Sequence, residues 1–157
     1  MSIPVARLNH AVLYVRDASA SAEFYGRVFG FEVVESAFGG RAVFLRAPAG
    51  DNHHDLGLFS VGPDAPGPEE GRVGLYHLAW QVGSIHDLVT ARDDLLRVGA
   101  YVGESDHGAT KSVYAKDPDG NEFEIMWMVP REQWTADDAD TATIAHLDLP
   151  AEVARHG

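Results

Sequence analysis

The stretch LNHAVLYV, Leu8 to Val15, returns 67 residues later as LYHLAWQV, Leu75 to Val82, with a histidine third in each. Both runs have the length and apolar content of a strand of about eight residues. Each is followed by a helix-like stretch with its own start and stop. Asp17 is placed to cap a helix whose apolar face includes Phe24, Val28 and Phe29, and Gly30 ends it. Ser84 and Asp87 form a capping-box-like pair ahead of Leu88, Ala91 and Leu95, with Gly99 as the stop. Three strand-like segments follow in each half: Phe31 to Ser36, Arg41 to Arg46 and Asp55 to Val61, then Tyr101 to Glu104, Ser112 to Lys116 and Glu122 to Val129. The turns also correspond, Ala47-Pro48-Ala49-Gly50 against Asp117-Pro118-Asp119-Gly120, with Pro and Gly where a tight reversal needs them.

The chain therefore reads as βαβββ written twice, an α+β arrangement. Module one runs from about residue 5 to 61 and module two from about 75 to 130. Residues 62–74, rich in Pro and Gly, link them, and an acidic tail with room for a short helix occupies 131–157. At 157 residues, two half-size modules sharing one domain are favoured over two independent domains.

Composition narrows the chemistry. With 24 acidic against 12 basic side chains, the net charge of −12 opposes binding to nucleic acid or to anionic membranes, so neither is expected as a partner. There is no cysteine, which excludes disulfides, thiolate metal sites and cysteine nucleophiles and leaves nitrogen and oxygen to hold any metal. The opening residues show no basic region followed by a sustained apolar run, and the expected location is cytoplasmic.

Strand alternation puts His10 with Leu8, Val12 and Tyr14 on one face, and His77 with Leu75, Ala79 and Gln81 on the equivalent face. On the last strand Glu122, Glu124, Met126 and Met128 share a face, while Phe123, Ile125, Trp127 and Val129 form a more apolar one. Glu124 is thus expected to face a cavity rather than the helix-packing core. The 67-residue offset gives it Gly57 as counterpart in module one, so the repeat supplies two histidines and a single carboxylate. Singly, a strand histidine is more often a hydrogen-bonded structural residue, and a glutamate more often faces solvent. Jointly, two imidazoles and one carboxylate form the donor set of a non-haem iron(II) facial triad, which manganese(II) could also occupy.

These residues, together with the segment KDPDGNEFEIMW from Lys116 to Trp127, resemble the glyoxalase, bleomycin-resistance and extradiol dioxygenase superfamily, the vicinal oxygen chelate proteins, over about residues 5 to 130. The resemblance implies that the two βαβββ modules pair into an open, cupped mixed sheet around a metal, with helices outside. It implies His10, His77 and Glu124 as the ligands and iron(II) as the cofactor. Glyoxalase-like and epimerase-like members carry Glu or Gln where this chain has Gly57, and that vacancy favours the extradiol ring-cleaving dioxygenases, which leave positions for a bidentate diol and O2. The segment HHDLGLF, His53 to Phe59, resembles the paired-histidine segment of those enzymes and implies His54 as acid/base. Strict alternation back from Gly57 favours His53 instead, unless a bulge intervenes. Tyr114 matches the tyrosine that hydrogen-bonds the substrate oxygen, and His107 resembles in position another active-site histidine. The implied partners are a catechol-like aromatic diol, O2 and a second copy of the chain. Competing readings are a glyoxalase-type isomerase, a thiol transferase acting on an antibiotic, and a metal-free drug-binding protein of the bleomycin-resistance type.

Overall fold

The computed structural model describes residues 2–135 and 143–157. The chain divides into two compact units, Met1–Gly67 and Pro68–Gly157. The division falls inside the Pro/Gly-rich linker.

The first unit contains β1 (Ala11–Val15), α1 (Ala18–Phe29), β2 (Glu32–Ala37), a short 3-10 turn (Phe38–Gly40), β3 (Ala42–Arg46) and β4 (Leu56–Ser60). Its mixed sheet has the order β1-β4-β3-β2, with β1 parallel to β4 and the other neighbours antiparallel. Asp17 caps α1 by accepting from the amides of Ser19 at 2.9 Å and Ala20 at 3.1 Å, and Gly30 ends it at φ 69°, a left-handed turn that glycine adopts without strain. The buried face of α1 is Ala18, Ser21, Ala22, Phe24 and Tyr25. Val28 and Phe29, expected on that face, are half-buried, because the stripe facing the sheet is centred one residue earlier in the turn. Beneath the helix lie Leu13, Val15, Val43, Leu45, Leu56 and Leu58, all buried.

The second unit repeats the plan with β5 (His77–Gln81), α2 (Ile85–Val98), β6 (Tyr101–Asp106), β7 (Thr110–Lys116) and β8 (Glu122–Met128), in the order β5-β8-β7-β6. Ser84 caps α2, its hydroxyl accepting from the Asp87 amide at 3.1 Å and donating to the Asp87 carboxylate at 2.7 Å. The repeat holds at the level of register. Val12 pairs with Gly57 as Ala79 pairs with Glu124, and both second strands carry an irregularity, at Val33/Glu35 and at Tyr101/Gly103. The two reversals close alike, the amides of Gly50 and Gly120 each donating at 3.0 Å to the carbonyls of Ala47 and Asp117.

The structure thus has two four-stranded mixed sheets with helices on their apolar faces. The expected opening strands prove shorter than the apolar runs: β1 begins at Ala11, so His10 precedes it, whereas His77 opens β5. The tail is part of the second unit. After a 3-10 turn at Arg131–Gln133, Ala145 forms an antiparallel bridge with Asp106, Leu147 and Leu149 are buried, and α3 (Leu149–His156) packs on α2. Part of the acidic stretch of the tail, residues 136–142, lies outside the described residues. No helix among the described residues is long and apolar enough to cross a membrane.

Candidate metal centre

In the second unit, parity on β8 sends Phe123, Ile125 and Trp127 into the apolar core, all nearly inaccessible, and turns Glu124 to the other face. The parallel pairing of β5 with β8 then carries His77 to the same place: its Nε2 lies 3.1 Å from Glu124 Oε2. Two donors about 2.1 Å from one octahedral ion sit about 3.0 Å apart when they are neighbours in its coordination shell. The pair therefore has the spacing of two adjacent ligands. His77 Nδ1 is buried and finds no hydrogen-bond partner, with Glu122 Oε1 4.0 Å away. A carboxylate behind the second ring nitrogen is how metal-bound histidines are held and oriented. Glu122 was recognised in the sequence only as a face-mate of Glu124.

Tyr114 pairs across the sheet with Glu124, and its ring lies 5.7 Å from that of His77. Burial, and next the Glu124 carboxylate, raise its hydroxyl above the ordinary phenol range. His107 stands in the turn between β6 and β7, and its Nε2 lies 2.8 Å from the Tyr114 hydroxyl. Its Nδ1 lies 2.7 Å from the carbonyl of Thr143, a contact that nothing in the sequence signalled. His77, Glu124, Tyr114 and His107 are thus one connected group.

In the first unit the three histidines gather. The ring of His54 lies 4.5 Å from that of His10 and 5.0 Å from that of Phe44. Phe44 pairs with Gly57 as Tyr114 pairs with Glu124, and a Cβ on Gly57 would meet the Phe44 ring at 3.5 Å. His54 is therefore on the Gly57 face, and His53 is the exposed neighbour. Alternation misassigns them because β4 begins only at Leu56, and residues 51–55 turn rather than extend; no bulge is needed. Burial, and then the charges of His10 and His53, lower the pKa of His54, keeping its ring neutral and able to accept a proton near neutral pH. Among the described residues no group of three or more histidine and carboxylate side chains is gathered around one point that could hold a metal. Each unit presents a partial set, His77 with Glu124 in one and His10 beside His54 in the other.

A model of the Glyoxalase/Bleomycin resistance protein/Dioxygenase superfamily matches residues 7–125, and the chain belongs to that superfamily. Among curated relatives it is 32% identical over 131 residues to a catechol-2,3-dioxygenase of Bacillus subtilis, covering 83% of this chain and 44% of that protein. The chain thus spans less than half the length of that relative. Among solved structures, a glyoxylase/bleomycin resistance protein/dioxygenase domain from Frankia sp. EAN1pec superposes with a TM-score of 0.66 at 22% identity, covering 80% of this chain and 99% of that one. A fosfomycin resistance protein of Listeria monocytogenes, a point mutant solved with Mn(II) and a dihydroxypropylphosphonic acid, shares the fold with a TM-score of 0.61 at 18% identity, covering 85% of this chain and 94% of that one.

Proposed function

We propose that the protein is an iron(II)-dependent extradiol dioxygenase that opens a catechol-like aromatic diol with O2. One observation carries the reading: the register that pairs Ala79 with Glu124 in one unit pairs Val12 with Gly57 in the other, so one carboxylate stands where the repeat has room for two. The ligand set is then His10, His77 and Glu124. Three protein donors leave room for both oxygens of a diol and for O2, whereas a fourth would take one of those positions. Similarity to a catechol-2,3-dioxygenase supports the same choice. Iron held by these residues would bring the two reactants together and provide a path for electrons between them, a role manganese(II) could also fill.

The chain's own residues supply the rest. Tyr114 orients the substrate oxygen, His54 holds and returns a proton as the ring bond beside the diol opens, and His107 supports Tyr114. Both oxygen atoms of O2 end in a ring-opened semialdehyde or related acid. On this reading the protein works as a cytoplasmic homodimer. Anaerobic loading with iron(II), followed by oxygen uptake against a panel of catechols and hydroquinones, tests it. Diol-dependent uptake is expected. A protein that consumes no oxygen with any diol but isomerises hemithioacetals is a glyoxalase-type enzyme instead.

A further inference from the structure

The superfamily match ends at residue 125, and the segment beyond it reaches back to the turn that carries His107. A carbonyl oxygen can only accept a hydrogen bond, so the 2.7 Å contact between His107 Nδ1 and Thr143 O requires the hydrogen to sit on Nδ1. In the neutral ring Nε2 is then bare, and the 2.8 Å contact with Tyr114 runs one way, hydroxyl donating and Nε2 accepting. With its hydrogen given to His107, the Tyr114 oxygen, which has the side chains of Ser112 and Glu124 as further neighbours, can only accept from whatever else stands before it.

We infer that the C-terminal segment is a positioning element for the His107–Tyr114 pair, with the Thr143 carbonyl setting the tautomer of His107 and thereby making Tyr114 a hydrogen-bond acceptor toward its substrate. The segment is fixed in place by three independent contacts. The amide of Ala145 donates to the carbonyl of Asp106, the residue before His107, and the carbonyl of Ala145 accepts from the Asp106 amide, both at 2.9 Å. Leu147 and Leu149 are buried. Lys111 on β7, itself buried, binds Asp106 at 2.6 Å and faces Glu152 of α3 at 3.4 Å. The proposed function enters only in what Tyr114 then accepts, a hydrogen bond from a hydroxyl of the diol.

Side-chain nitrogen spectra of 15N-histidine-labelled full-length protein, recorded without metal or diol at a pH where His107 is neutral, test the inference. Hydrogen on Nδ1 and a bare Nε2 are expected in the natural protein; hydrogen on Nε2 overturns the inference outright. Ala145→Pro deletes the amide that donates to Asp106 and should shift His107 toward a mixed population. Thr143→Ala keeps the carbonyl and should leave the tautomer unchanged. An Ala145→Pro protein with the tautomer of the natural one, or a Thr143→Ala protein that loses it, refutes the role of the segment. Where Ala145→Pro does not fold, Leu149→Ala, which removes a buried anchor and leaves β6 and β7 intact, takes its place with the same expected shift. Because neither iron nor diol is present, a chain that opens no diol can still pass, and one that opens diols can still fail.

Discussion

At the scale of single residues, a face is decided by whether a side chain stands inside a strand or beside one. Glu124, well inside β8, is assigned by parity alone, and the apolar character of Phe123, Ile125 and Trp127 makes the assignment legible in the sequence. If Glu124 is one of the three proposed ligands, Glu124→Ala should remove most bound metal from iron-loaded protein, to about a tenth of the natural content or less, since only two protein donors would be left. Elemental analysis showing equal occupancy would rule Glu124 out as a ligand. His54 is the opposite case. It lies ahead of β4, where alternation has no authority, and only contacts across the fold, with His10 and Phe44, place its ring. His54→Phe should lower diol turnover by about 10²-fold or more with metal content nearly normal, the scale of lost general acid–base help. His53→Phe should change it little. The reverse ranking in steady-state kinetics would mean that His53 is the acid/base.

Elements were legible where their signals are local. Asp17 and Ser84 cap the helices they were expected to cap, and Gly30 and Gly99 end them, because a cap is a bond between near neighbours in sequence. Strand ends and the tail were not, because they depend on partners far along the chain. β1 begins only at Ala11, where its pairing with Leu56 starts, although the apolar run reaches back to Leu8. The packing of the tail is not legible in the sequence because its anchor is a lysine on β7, a strand whose sequence shows no reason for burying a charge. Lys111 is 4% exposed, with Asp106 and Glu152 as its counter-charges. Lys111→Met leaves Asp106 without its 2.6 Å partner and Glu152 with only Arg155 and His156 of its own helix, at 3.5 and 3.4 Å, so it should cost about 3 kcal/mol of unfolding free energy. Adding Glu152→Leu should restore much of that loss, because an apolar replacement of a buried pair carries no desolvation penalty. Urea unfolding of the single and double variants measures both, and a double variant less stable than Lys111→Met would show that Glu152 stabilises the fold through Arg155 and His156 rather than through Lys111.

Across the whole molecule, the proposed function depends on how the duplicated module departs from its own symmetry. The repeat preserves caps, turns and register closely enough that Gly57 and Glu124 are structural equivalents, as are Phe44 and Tyr114. In both pairs module two carries the group that can hold a metal or a proton, and module one carries glycine or a plain aromatic ring. If the open coordination positions determine the reaction, restoring the symmetry should abolish oxygen chemistry without abolishing the centre. Gly57→Glu tests this. The new Cβ would meet Val12 Cγ2 at 3.4 Å and the Phe44 ring at 3.5 Å, ordinary contacts, so β4 has room for the first atom of a side chain there. A fourth protein donor would then fill a position that, on the proposed reading, the diol or O2 requires. The variant should bind divalent metal at least as tightly as the natural protein, read by competition with a chelator, while diol-dependent oxygen uptake falls more than about tenfold, as expected when a substrate position is taken by the protein. Full oxygen uptake by a metal-loaded Gly57→Glu protein would show that the vacancy at Gly57 is not what opens the metal to its reactants, and the choice of dioxygenase over isomerase would lose its structural basis.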